Sequence, residues 1–178
     1  MSVLIEATSV VIRRSAIDEK YPGGLDAFIR NAPRQFCRDK FLVRVGFMAT
    51  EDVRPYVEML ESHGLVFLNE KEEAVDLLVA DQLSGITTAC DWAYFHHLYF
   101  DRDSQEKVAA CTHNDAPKEL LHSPFNWKFE GSLSQSFGFT PTEYKDKSLE
   151  FLRHENGVDV YLSRLTGKEM YTGRVLKK

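Results

Sequence analysis

The sequence predicts an α+β fold, a mixed and mostly antiparallel sheet with two or three helices packed on one face, extended by C-terminal β-hairpins. Three observations carry this. Short runs rich in Val, Ile, Leu and Phe recur along the chain, spaced by polar turns. Helical apolar spacing is confined to the first half, where Val53, Tyr56, Val57 and Leu60 fall at i, i+3, i+4 and i+7. Asn156-Gly157, flanked by Leu149 to His154 and Val158 to Arg164, is the residue pair a type I′ hairpin turn demands.

Taken in order, Val3 to Arg13 reads as a first strand, and Ser15 as the N-cap of a helical turn from Ala16 to Lys20. Tyr-Pro-Gly-Gly at 21–24 breaks the chain before a second helix, Leu25 to Asn31, which Pro33 ends. Phe41 to Met48 is apolar on both faces except at Arg44, the pattern of a strand interior to a sheet. Asp52 is the preferred N-cap of the helix that follows, because Pro55 then falls at the third helical position, where no donor is needed. Gly64 supplies the left-handed stop. Leu65 to Leu68 and Ala74 to Ala80 form an expected hairpin, as do Trp92 to Phe100 and Lys107 to His113. Leu120 to Phe139 reads as irregular chain anchored by Phe125, Trp127, Phe129, Phe137 and Phe139, and Glu169 to Thr172 as a last strand.

With 178 residues, 43% hydrophobic and 28% charged, the chain has the composition of one globular domain spanning 1–178. The only candidate boundary is a shift in character near 81–90. A net charge of −5 offers no electrostatic footing on a nucleic-acid backbone. The absence of a basic leader, and of any apolar run near the roughly 18–20 residues that span a bilayer, predicts a cytoplasmic protein with no membrane contact. Three cysteines at unrelated spacings fit a reducing compartment.

Two of the three cysteines and four of the six histidines lie between Cys90 and His122. A metal site, zinc by its chemistry, would draw on Cys90, His96, Cys111 and His113, with Asp91 or Asp115 in reserve. Cys111 and His113 lie two apart and share a strand face, whereas His96 and His97 oppose each other, so only one of them joins. The spacing fits no tight ligand pair, however, and small core thiols with partly exposed histidines explain the same residues; no cofactor is expected. A Cys90 nucleophile would need a base or a helix amino terminus beside it, and no helix begins there. No G-x-S-x-G, G-x-G-x-x-G or phosphate-loop pattern occurs. Glu70, Glu72, Glu73 and Asp76 read as a solvated turn rather than an acid–base group. The aromatics from Trp92 to Phe100 lack interleaved Lys or Arg, so they favour packing or a protein interface over base stacking. The leading expectation is a non-catalytic binding module with another protein as partner, of inhibitor or immunity type. The alternative is a small metal protein or enzyme on the 90–113 hairpin.

Overall fold

The computed structural model describes residues 1–33, 35–101, 103, 105–117, 120–136, 149–155, 158–163 and 169–173. The fold is α+β, as expected, with the sequence runs distributed over three sheets. The expected first strand is two strands, β1 (Ser2–Ile5) and β2 (Thr8–Arg13). Ala7, a non-glycine at φ +47°, turns the chain between them, so that consecutive apolar residues enter different sheets.

β2 is the centre of a five-stranded antiparallel sheet ordered β3-β4-β2-β5-β6, where β3 is Phe36–Arg38, β4 Leu42–Phe47, β5 Leu77–Asp81 and β6 Gly85–Ile86. Both faces are covered, which explains the near-continuous apolar runs of β2, β4 and β5. On one face Val10, Ile12, Val43, Val45, Leu77 and Val79 meet three helices, α1 (Arg14–Lys20), α2 (Gly24–Asn31) and α3 (Val53–Ser62). Ser15 lies within α1 and caps nothing, since the helix follows β2 directly. Asp52 does precede α3, at the end of a 3-10 turn from Thr50 to Asp52, but its side chain makes no capping bond. Gly64, at φ +101°, stops α3, and Leu65 N–H returns to Leu60 O at 3.2 Å. The expected hairpin after it shrinks to a bridge between Leu68 and Ala74, because β5 pairs with β2 instead.

The other face of this sheet packs on a second, ordered β7-β8-β1-β9, with β7 Ala93–Tyr99, β8 Lys107–His113 and β9 Leu121–His122. β1 and β9 are parallel and the remaining pairs antiparallel. Val3, Ile5, Val11, Cys37, Leu78, Ala80, Trp92, Ala109 and Cys111 fill the space between the sheets, so residues from both sides of 81–90 share this cluster. The outer face of the second sheet is covered by Trp127 and Phe129, with Phe129 stacked on Phe100 at 4.6 Å.

A third sheet, β10 (Leu149–Glu155), β11 (Val158–Ser163) and β12 (Glu169–Gly173), is an antiparallel meander with a bulge between Phe151 and Arg153. The Asn156-Gly157 turn itself lies outside the described residues, as do Phe137 and Phe139.

Pairing register brings several strand ends to one pole. Thr8 pairs with Phe47 and with Asp81, Ala109 with Ile5, and Tyr99 with Lys107 just beyond it. β4, β5 and β7 therefore all end where β1 passes into β2. β9, parallel to β1, delivers residues 123–136 to the same pole.

Candidate functional site

The four predicted ligands do not converge. β7 and β8 pair Phe95 with Cys111 and Ala93 with His113, so strand alternation puts His96 on the opposite face from both. His96 Nε2 meets Thr112 Oγ1 at 2.7 Å, and Thr112 Oγ1 meets Ser2 Oγ at 2.6 Å. Cys111 and His113 do share a face, as their spacing predicted. His113 stacks on Phe41 at 5.3 Å, and its Nδ1 accepts the Asp115 N–H at 3.2 Å. Cys90 packs against the same inter-sheet cluster from a shallow cleft lined by Arg13, Asn69, Glu73, Asp91 and Trp92, with Arg13 over the Trp92 ring at 5.7 Å. Among the described residues, no three His, Cys, Asp or Glu side chains gather closely enough to hold a metal ion.

All three thiols are pushed above their ordinary range by burial, Cys90 included, where the N–H groups of Trp92 and Ala93 and the Arg13 guanidinium only partly offset it. A thiol at neutral pH is a packing group rather than a nucleophile. The fold favours the protonated thiol, so this contribution is intact below the ordinary value of 9.0 and is lost as pH rises above it. Buried Cys37 and Cys111 should each steepen the fall of stability by up to about 1.4 kcal/mol per pH unit. Urea midpoints measured on either side of pH 9 check this, and Cys111→Ala should flatten the slope; an unchanged slope would contradict it. The acidic turn is not solvated throughout, contrary to expectation. Glu70, Glu72 and Glu73 are exposed, but Asp76 is buried, accepting from Lys20 Nζ and from Val66 N–H, both at 2.7 Å.

A second concave site is a cleft of about 400 Å³ at the pole where the strands end. Its floor is Arg44, 2% exposed, on β4 between the two sheets. The guanidinium lies over Gly46: a β-carbon there would stand 2.4 Å from Nη2 and 2.9 Å from Nη1. Arg44 Nε donates to Ser9 Oγ at 2.9 Å and Nη2 to the Glu6 backbone carbonyl at 3.1 Å, while Nη1 is buried without a partner. Burial pulls the guanidinium below its ordinary value, opposed by Cys37 and the Glu6 carboxylate. A buried ion with donors unmet costs several kcal/mol unless another group compensates it.

The Glu6 carboxylate is committed elsewhere. Its Oε1 accepts Ser134 Oγ–H at 2.7 Å, Ser134 N–H at 2.9 Å and the Trp127 indole N–H at 3.2 Å. Gln82, fully buried, accepts the Ala7 N–H at 2.8 Å and donates to Leu133 O at 3.5 Å. These contacts hold the segment from Asn126 to Leu133 as the outer wall of the cleft, with Gln35, Phe47 and Met48 opposite. At its rim the chain makes a turn, Trp127 N–H to Pro124 O at 3.0 Å, with Asn126 at φ +64°. Phe125 sits at the apex and is 94% exposed, so it anchors nothing, contrary to expectation; Trp127 and Phe129 do pack inward.

Sequence reasoning missed Glu6, Gln82 and Ser134, whose types carry no pattern. Arg44 left one signal, as the sole charge in the run Phe41 to Met48. No helix among the described residues is long and apolar enough to cross a membrane. No protein-family model, curated protein or solved structure matches the chain.

Proposed function

We propose that this chain is a non-catalytic, cytoplasmic binding module that engages a protein partner, in the manner of an inhibitor or immunity protein, through the pole at which β1 passes into β2. Phe125 is the observation that supports this most. An aromatic ring left almost wholly in water forgoes about 1.5–3 kcal/mol that burial would return. Here it stands on a turn whose next residue but one, Trp127, is tied to Glu6, so little ordering remains to be done on association. Exposed Met48 lines the cleft beside it, and Tyr99 is exposed at the end of β7. Aromatic and Met side chains in this arrangement are the types enriched at interface centres. Raised thiols, and metal candidates that do not lie together, give the alternative reading, a small metal protein or enzyme, no comparable support.

Capture from native lysate on the immobilised full chain tests the proposal. A protein bound at one-to-one stoichiometry, and lost with Phe125→Ser and with Met48→Ser while both variants melt as wild type does, is the expected result. A complex that forms equally well with both variants, or no saturable complex, would overturn the reading.

A further inference from the structure

We infer that the polar cleft is a carboxylate-binding site, in which a single carboxylate group pairs with the Arg44 guanidinium. The inference deepens the reading above, since a protein partner carries such a group on an acidic side chain or at its C-terminus.

Arg44 keeps donors unmet. Guanidinium is a rigid fork suited to two oxygens of one carboxylate. Ser9 and the Glu6 carbonyl occupy Nε and one edge of Nη2, the Cys37 side chain lies against the guanidinium, and Nη1 is buried with no hydrogen-bond partner. The three thiols do not supply a counter-charge, because burial keeps them protonated. Glu6 hydrogen-bonds to Arg44 only through the backbone carbonyl; its carboxylate acts on the guanidinium as a nearby charge, with Oε1 bonded to Ser134 and Trp127. β4 carries glycine at position 46, where any β-carbon would collide with the guanidinium, so the fold keeps Arg44 in this place.

Charge decides which anion. The cleft is lined by two cations, Arg44 and Lys128, and two carboxylates, Glu6 and Glu130. Such a balance tolerates one added negative charge next to the guanidinium and repels a second, which separates a carboxylate from a phosphate dianion. Phe47, Met48 and Trp127 offer apolar wall for the body that carries the group. Nη1 has almost no accessible surface as the cleft stands, so an oxygen that reaches it requires the cleft to open locally. The Trp127 indole N–H, bonded to Glu6 across that wall, therefore reports on occupancy.

Benzoate, acetate, methyl benzoate and inorganic phosphate, titrated separately into the ¹⁵N-labelled full chain, provide the test. Benzoate should bind saturably with a Kd of about 1 mM or tighter. It should shift both the Arg44 Nε–H and the Trp127 indole resonances, with acetate weaker and the neutral ester silent. Arg44→Lys should weaken benzoate about tenfold or more, through loss of the fork. Lys128→Glu, at an exposed position remote from the core, should weaken it roughly fivefold whether or not the Arg44 variant folds. No saturable benzoate binding, equal binding by the methyl ester, or phosphate binding as tight as benzoate would overturn the inference. The two readings fail separately. Capture that depends on Phe125 but ignores excess benzoate, in a chain that does not bind benzoate, removes the carboxylate site and leaves the docking pole.

Discussion

Glu6→Leu should lower stability by about 3 kcal/mol, among the larger effects of a single substitution in this chain. The replacement is similar in volume and still apolar enough for a buried position, so packing is not the issue. Ser134 N–H, Ser134 Oγ–H and the Trp127 indole N–H all lose their acceptor at once, and Ser134 is only 3% exposed. A buried donor left unmet costs roughly 1–3 kcal/mol, reduced here as the segment lifts and admits water. Tm should fall by roughly 5–15 °C. Amide exchange should accelerate between Trp127 and Ser134 well before it does in β2 or β4. Glu6→Gln keeps an acceptor at Oε1 and should cost under about 1 kcal/mol. A Gln variant as damaged as the Leu variant would show that the carboxylate matters as the charge facing Arg44, not as the acceptor that ties down residues 126–134.

Gly46→Ala should destabilise by about 1–3 kcal/mol, a result opposite in sign to the usual effect of that change within a strand. Position 46 has no left-handed backbone, so alanine alone would gain a little by restricting the unfolded chain. The added methyl, however, would stand 2.4 Å from Nη2 of Arg44, inside any permissible contact. Steric overlap with a side chain fixed by Ser9 and the Glu6 carbonyl outweighs the entropic gain. A double-mutant cycle with Arg44→Leu isolates the cause. The pair should show a favourable coupling of about 0.5–3 kcal/mol, because once the guanidinium is gone the methyl has room. Strict additivity in urea denaturation would mean that the clash lies with something other than Arg44.

Most of the architecture was legible because burial imposes periodicity. α3 announced itself through Val53, Val57 and Leu60, and β7 and β8 through their flanking turn. What escaped was decided by single backbone angles and by register. Nothing in Val3 to Arg13 marks a break, yet Ala7 at φ +47° sends the two halves into different sheets. Alternation said that His96 and His97 diverge, but only the pairing of Phe95 with Cys111 decides that His96 is the one turned away. Phe125 looked like a core residue by type, and the turn that Asn126 closes carries it outward. The cleft was the least legible part. Its residues come from the step between β1 and β2, from Gln35 ahead of β3, from β4 and the residue after it, and from the chain after β9, and no local spacing ties them together. Arg44 alone was visible, as a charge where the strand pattern allowed none.

The two-residue step from β1 to β2 also bears on the order in which the chain gains structure as it leaves the ribosome. β2 finds its partners β4 and β5 by Asp81, so the helix-covered sheet is complete in sequence before β7 begins. β1, although it precedes all of these strands in the chain, pairs among the described residues only with β8 and β9, and has no strand beside it until Cys111 has emerged. Until then Val3, Leu4 and Ile5 form a bare apolar edge on a nascent chain, the kind of segment that recruits strands from its neighbours. Of the strands in that sheet, β1 therefore waits longest between its own synthesis and its pairing.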